Sequence, residues 1–492
     1  MTMRISKSKF CAGVQCQKRL YLQVRQPELA AEPDAASEAI IQQGHEVGML
    51  ARRLFPGGVE VCERSLDQAI RVTRDLVRNE SVPAIFEAVF EHEDVLVKVD
   101  VLQRRQADGR FRLIEIKSTA DLKDHHLEDV AIQYRVVSRS GVDVASACLA
   151  HVNRNFIYQG SEIDPRRFFR IRNLTRRVQR LQPKVTFQLR SEFTVLAMSK
   201  APDIAPGRHC SNPVTCEFFD HCNPPRPKDH IGYLPRLHAS AEEALEELGV
   251  ESIHDLPDDF ELTEIQRRAA TCVQTGEPWF SPELGEVLGG LTYPLYFGDF
   301  ETVNRAVPLF AGMRPYDHLP FQWSVHVQRE PGASPEHYEF LATDASDPRH
   351  EFITSLCAAL GESGNIVVYS SFESQRLSDL ASWVPEFSDR INAIQARLFD
   401  LLPVVREHTY HPAYAGSYSI KSVLPALVPE MTYDGMLVSN GQDAGLAWES
   451  LVRGSLDCGE RDRIRKALLD YCGQDTLAMV KLVETLRIAS QR

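Results

Sequence analysis

Val95-Leu96-Val97-Lys98-Val99-Asp100-Val101 and Phe111-Arg112-Leu113-Ile114-Glu115-Ile116-Lys117 decide how the first half of this chain reads. Both runs are apolar and β-branched, and Ala107-Asp108-Gly109 supplies a polar turn between them, so the pair predicts an antiparallel hairpin. Side chains alternate along a strand, which puts Glu115 and Lys117 on one face and Ile114 and Ile116 on the other. The hairpin then sets Asp100 beside Glu115. Two carboxylates suit Mg²⁺ or Mn²⁺, and an ammonium beside them suits an attacking water or a phosphate oxygen. Glu-x-Lys alone is a common tripeptide and equally fits a solvated strand face.

Outward from the hairpin, apolar spacing predicts helices over residues 38–54 and 65–78 before it and 127–138 after it, then a strand over 144–152. Pro224-Pro225-Arg226-Pro227 cannot continue a helix or a central strand and marks a boundary. Gly44-His45 lies on the first helix, Glu87 precedes the Asp100 strand, and Gln133-Tyr134 lies on the helix after Lys117. In this order, these residues resemble the RecB-like branch of the PD-(D/E)XK nucleases. The resemblance implies a restriction-endonuclease-like fold over 1–230. It makes Asp100, Glu115 and Lys117 catalytic, with His45, Asp100 and Glu115 on the metal. Val137 stands where the family's Gln-x-x-x-Tyr has its tyrosine.

Cys210, Cys216 and Cys222 close this region, and Cys16 stands near its start, ahead of Gln17-Lys18-Arg19-Leu20-Tyr21. Four thiolates are soft ligands that suit iron–sulfur or zinc, and the spacing is not that of a zinc ribbon. Some RecB-like nucleases carry one N-terminal and three C-terminal cysteines around a [4Fe–4S] cluster, and this layout resembles theirs. Zinc, or four unrelated buried thiols, are the alternatives. Cys11 competes with Cys16, and Cys62, Cys148, Cys272, Cys357, Cys458 and Cys472 read as unrelated thiols.

In the second half, residues 292–300, 321–328 and 337–341 predict three successive strands. A helix over 350–360, a buried strand over 365–369 and a long helix over 462–488 follow, an α/β pattern with helices covering a sheet. Asp299 and Glu301 fall at i and i+2 on one strand face. Glu373 follows Ser370-Ser371-Phe372 as a strand passes into a helix, and Tyr471 and Asp475 are four apart on one helix face. Four carboxylates repel unless cations neutralise them, and two divalent ions would serve the two oxygens of a phosphodiester exchange. Each piece alone fits an ordinary strand end or helix start. Together they resemble the DnaQ-like (DEDD, tyrosine subtype) 3′→5′ exonucleases of the ribonuclease H-like, three-layer α/β fold. The resemblance implies catalysis by Asp299, Glu301, Glu373, Tyr471 and Asp475, with the four acids holding metal. Glu373 replaces the family's usual Asp, and Asp400 resembles an acidic residue on the family's next helix. Residues 231–288 read as a helical connector, leaving 289–492 for this domain.

The chain has 492 residues, 43% of them hydrophobic and 25% charged, a globular profile that excludes a disordered or fibrous chain. No apolar run approaches a membrane span. Residues 1–230 hold 35 Lys and Arg against 29 Asp and Glu, and residues 231–492 hold 20 against 39. The first half is thus basic within an acidic total, as a nucleic-acid surface requires. Arg166, Arg167, Arg170, Arg172, Arg176, Arg177 and Arg180 would track phosphates, with Phe168 and Phe169 for base stacking; a solvated helix face is the plain alternative. Eleven cysteines and a first segment unlike a signal peptide predict a reducing, cytoplasmic setting. The expectation is a cytoplasmic, metal-dependent nuclease acting on single-stranded nucleic acid, DNA before RNA, with Mg²⁺ or Mn²⁺, a [4Fe–4S] cluster and no membrane partner. The rival is a nucleic-acid-binding or assembly protein in which one or both sites no longer cut.

Overall fold

Helices cover sheets throughout this α/β protein, whose computed structural model describes residues 4–453 and 456–491. The chain divides into two units, Met1–Pro225 with Arg305–Asp317, and Arg226–Asn304 with His318–Arg492. The boundary at the proline run holds. The connector expected over 231–288 is not a separate body but part of the second unit, and the expected 289–492 domain gives up Arg305–Asp317 to the first. That segment is held there by Ala306, Val307 and Tyr316, which pack with Val47, Phe156 and Phe168, and by polar contacts. Ala306 N donates to Gln43 Oε1 at 3.1 Å, Arg305 pairs with Glu46, Gly312 N donates to Tyr158 O at 2.8 Å and Tyr158 N to Met313 O at 2.9 Å. Such contacts leave no hydrophobic period to read.

The first unit is built on a seven-stranded sheet: β1 (Ile5–Ser6), β2 (Val59–Glu60), β3 (Ala84–His92), β4 (Val95–Arg104), β5 (Phe111–Lys117), β6 (Val144–Val152) and β7 (Phe169–Asn173). Its order is β2-β3-β4-β5-β6-β7, with β1 also on β4. The expected hairpin is β4–β5, with Val101 opposite Ile114. One face packs Val97, Val99, Leu113 and Leu149 against the helices Asp124–Arg139 and Thr175–Leu196. On the other, Val47 and Ala51 of the helix Ala35–Arg52 pack with Val152 and Ile116.

The second unit holds a small pair, β8 (Trp279–Phe280) with β14 (Thr409–Tyr410). Its main sheet has β9 (Leu295–Asn304), β10 (His318–Gln328), β11 (Glu336–Leu341), β12 (Ile366–Val368) and β13 (Leu398–Asp400), in the order β11-β10-β9-β12-β13. β9, β10 and β11 are antiparallel neighbours, and β12 and β13 run parallel to β9. Alternation along β9 decides the layers. Leu295 and Phe297 pack on one side with Met479, Val480 and Val483 of the helix Cys458–Ala489. Tyr296 and Phe300 pack on the other with Phe352, Leu356 and Leu377. Helices therefore cover both faces, and Asp299 and Glu301 fall on the side of the C-terminal helix.

Candidate functional site

In the first unit the acidic residues sit in a fork of the sheet. β4 pairs with β5 only from Val101 to Arg104, while its start, Val95–Leu96, pairs with β1. Between these ladders β4 and β5 part, and Asp100 fills the gap, its Oδ2 accepting Ile116 N at 2.6 Å. Asp100 lies one residue beyond the last β4–β5 pair, Val101 with Ile114, and close enough to Glu115 for the two carboxylates to repel. On the other side the β3–β4 ladder continues through Phe86–Val101 and Ala88–Val99, and Glu87, with φ 57°, is turned into the left-handed region opposite Asp100. Glu87 pairs with Arg52 at 2.9 Å and Lys98 at 3.0 Å.

Glu115 is buried and fully engaged. Lys7 Nζ and Lys117 Nζ each lie 2.8 Å from Oε1, and Gln133 Nε2 donates to Oε2 at 2.6 Å. Lys117 also pairs with Asp129, whose other oxygen accepts Cys11 Sγ at 3.0 Å. Burial opposes charge on Glu115, but the Lys7 and Lys117 ammonium groups outweigh it and hold the carboxyl well below its usual range. Burial, then repulsion by Glu115, pushes Asp100 up to about 7. Asp100, Glu115, Lys117 and Gln133 thus converge as the sequence predicted. Lys7 and Asp129 were missed: Lys7 arrives because β1 feeds its helix into the fork, a pairing of two residues with no sequence signature. His45 is a correction. It is exposed on the helix Ala35–Arg52, and among the described residues it does not join Asp100 and Glu115 in a group of three ligands. Val137, where the expected Gln-x-x-x-Tyr pattern would have tyrosine, is buried in the core.

Cys16, Cys210, Cys216 and Cys222 line one small pocket with Lys18, Arg19, His209 and Phe218. All four are free thiols. Cys11, the competitor, is instead at Asp129. The backbone brings the three later cysteines together: Cys216 N donates to Cys210 O at 2.8 Å, and Cys222 N to Phe218 O at 3.0 Å. No carboxylate lines the pocket, so the donor set is soft and fits iron–sulfur or zinc. No three of these sulfurs lie within 4.8 Å of one another among the described residues, a wider setting than the about 3.8 Å edge of a tetrahedral zinc thiolate site.

The arginine-rich segment needs a second correction. Arg166, Arg167 and Arg170 are exposed around a pocket with Asn153, Asn155 and Phe156. Phe168 and Phe169, expected to stack on bases, are buried in the core at 0% and 5% exposure.

In the second unit, Asp299 and Glu301 on β9 face Asp475 on the C-terminal helix and Glu373 in the first turn of the helix Phe372–Trp383. All four repel one another in part. Burial, then Asp475, Glu301 and Glu373, pushes Asp299 well up; burial, then Asp475, pushes Glu301 up to about 8. Burial, with Asp400 and Asp475, pushes Glu373 up to about 8, and its Oε2 has no hydrogen-bond partner among the described residues. A buried carboxylate oxygen with no donor beside three more acids is an arrangement that a divalent cation would neutralise. The donor set of four carboxylates fits Mg²⁺ or Mn²⁺. Asp400 ends β13 and caps the next helix through Leu402 N at 3.0 Å.

Three neighbours of this site were missed. Tyr433 donates to Asp475 Oδ1 at 2.5 Å, and its ring centroid is 6.4 Å from that of Tyr471. Lys421 Nζ lies 5.5 Å and 5.3 Å from those two ring centroids and opposes the upward shifts of Glu301 and Asp475. Cys472, assigned to unrelated thiols, has its sulfur 3.6 Å from Asp299 Oδ2. Cys472 precedes Asp475 by three positions on one helix, so helical spacing alone places both toward β9.

Residues 296–419 match a family model described as a domain of unknown function (DUF2779). The match takes in Asp299, Glu301 and Glu373 and ends before Tyr471 and Asp475. No curated protein matches the chain.

Proposed function

We propose that this chain is a metal-dependent nuclease acting on single-stranded nucleic acid, DNA in preference to RNA, with a RecB-like site in the first unit and a DnaQ-like exonuclease site in the second. One observation carries it most: four carboxylates from one strand and two helices converge, Glu301, Glu373 and Asp475 buried and Asp299 half-buried, and one oxygen of Glu373 has no donor among the described residues. The sheet order β11-β10-β9-β12-β13, with helices on both faces, supports the ribonuclease H-like reading.

Divalent ions held by Asp299, Glu301, Glu373 and Asp475 would supply charge to the attacking and leaving oxygens of a phosphodiester. The protein's part is to position. Tyr433 fixes the rotamer of Asp475, Tyr471 orients a water from the same helix, and Lys421 adds positive charge at the mouth of the acidic group. In the first unit Asp100 and Glu115 are the ligands. Lys117 is held at Glu115 by Asp129 and presents its ammonium to the reacting phosphate. Asp100 and Glu115 would hold a divalent cation, whose charge would offset Glu115 as the Lys7 ammonium does at Oε1. Cys16, Cys210, Cys216 and Cys222 hold an iron–sulfur cluster that ties the start of the first unit to its end.

The test uses the full chain with end-labelled single- and double-stranded DNA and RNA in Mg²⁺ or Mn²⁺. Lys117→Ala and Asp299→Ala are each expected to remove one class of product and their combination all cleavage. Undiminished cleavage by the double variant would refute the proposal.

A further inference from the structure

Asp299, Glu301 and Cys472 each present one ligand atom, and these three atoms lie within 4.8 Å of one another; no other group of three His, Cys, Asp or Glu does so among the described residues. The sulfur is 3.6 Å from Asp299 Oδ2. Two ligands of one tetrahedral zinc-sized ion, a thiolate at ~2.3 Å and a carboxylate oxygen at ~2.1 Å, stand about 3.6 Å apart. As a thiol, Cys472 donates to Asp299 Oδ2 at this 3.6 Å and to the Asp299 carbonyl oxygen at 3.7 Å, so it already rests on the carboxylate with which it would share the ion. Glu373, 4% exposed, adds an independent observation, since its charge acts on Asp299 and Glu301 and its Oε2 has no hydrogen-bond partner among the described residues.

We infer that Cys472 is a further protein ligand of the second unit's metal site, beside Asp299 and Glu301, which thereby accepts a thiophilic, zinc-class divalent cation as well as Mg²⁺ or Mn²⁺. This rests on reading that site as a metal centre. Thiolate sulfur is a soft donor that Mg²⁺ does not accept, whereas zinc-class ions take sulfur and carboxylate oxygen together. The bond forms between the sulfur and the cation, and the thiol proton leaves to solvent, so binding releases one proton from Cys472. β9 supplies the two oxygens from alternate positions of one strand face, and the C-terminal helix lays the sulfur against them.

Cd²⁺ is the probe, because its bond to a thiolate absorbs in the ultraviolet. The full chain, its Cys472→Ser variant and its Asp299→Asn variant are titrated with Cd²⁺, and Mg²⁺ binding is followed separately by thermal stabilisation. The other ten of the eleven cysteines give the same background in every variant. Cys472→Ser is expected to lose one thiolate's share of the band and to bind Cd²⁺ at this site at least about tenfold more weakly, with Mg²⁺ stabilisation kept. Asp299→Asn is expected to weaken both ions. A Cys472→Ser titration that overlays wild type while Asp299→Asn loses Mg²⁺ overturns the ligand and leaves the metal centre standing. If Asp299→Asn changes neither ion, the metal centre itself falls. Should Cys472→Ser fail to fold, Asp299→Asn decides: its thiolate band must shrink, and an undiminished band overturns the inference.

Discussion

Tyr433 donates to Oδ1 of Asp475 at 2.5 Å, from a segment 42 residues upstream of the acid it holds. Asp475 is pushed up by burial, and this bond, with Lys421 and Tyr471, pulls it back toward the charged form. A residue that orients a metal-binding carboxylate changes affinity or activity by about 10–100-fold when removed. Tyr433→Phe should therefore weaken metal binding and slow 3′→5′ trimming by that order. Tyr471→Phe should slow trimming while leaving metal binding closer to wild type. Metal titration beside single-turnover trimming separates the two; equal metal affinity for Tyr433→Phe and wild type would show that the bond orients nothing.

Under the proposed exonuclease reading, Glu373 stands where Asp is usual. It sits in the first turn of its helix, and its Oε2 reaches no donor. Glu373→Asp draws that oxygen back by one methylene, away from Asp299 and Glu301, so activity in Mn²⁺ should fall. Glu373→Gln should do the opposite to stability. With chelator present it removes a buried acid and raises the melting temperature, while the stabilisation gained on adding Mn²⁺ disappears. A rise in trimming by Glu373→Asp would mark the site as decayed.

In the first unit two ammonium groups share Glu115 Oε1, each at 2.8 Å. Lys7→Ala removes one of them and leaves Asp100 and Glu115 facing each other with less compensation. The cost without metal is expected at about 1–3 kcal/mol, the scale of a hydrogen bond to a charged group. Added Mn²⁺ should then restore more of the melting temperature in Lys7→Ala than it adds to wild type, because the cation takes over the lost charge. A variant whose deficit is the same with and without Mn²⁺ would show that Lys7 and the cation act independently.

How far the sequence carried depends on what kind of contact built each part. The β4–β5 hairpin, β9 and β10 were legible because alternation and turn residues are local. So were Asp100 beside Glu115 and Asp299 with Glu301, which follow from strand pairing or from one strand face. Lys7, Tyr433 and Lys421 were not, since each reaches its site from a loop or helix start with no periodic signal. β13 was read as part of a helix because Leu398-Phe399-Asp400 is three residues long and its partner lies outside the local sequence. His45 and Phe168 failed for another reason. Their residue types suit a metal or a base, but the fold leaves one exposed and needs the other in its core.

Cys16 and Cys11 are five positions apart and separate cleanly in space, one in the four-thiol pocket and one at Asp129. Cys16→Ser and Cys216→Ser should each lose iron from anaerobically purified protein, with its broad visible absorbance, whereas Cys11→Ser should keep it. Iron content measured on the three variants tests this. Equal iron in Cys16→Ser and wild type, or stoichiometric zinc in place of iron, would remove the cluster assignment.

Glu192 links pH to the stability of the first unit. It lies on the helix Thr175–Leu196, wholly buried, with Oε1 accepting from Gln188 Nε2 at 3.0 Å and Oε2 without a partner. A methyl group on Gly13 would come within 2.5 Å of Oε1, so the opposing helix offers no room for a counter-ion or water there. Burial, only partly opposed by Gln188, raises this carboxyl from its ordinary 4.5 to about 8. Below pH 4.5 both folded and unfolded chains hold the proton, and Glu192 has no effect on stability. Between 4.5 and about 8 the unfolded chain has released a proton that the native state keeps, so stability falls as pH rises and levels off above about 8. Glu192→Gln keeps the shape and the bond to Gln188 but cannot ionise. It should match wild type near pH 4.5, exceed it increasingly toward pH 8 and hold that advantage beyond. Thermal unfolding of both proteins across this range is the measurement. Parallel curves, with no divergence as pH rises, would mean that Glu192 is solvated in the native state and that the burial seen here does not govern its charge.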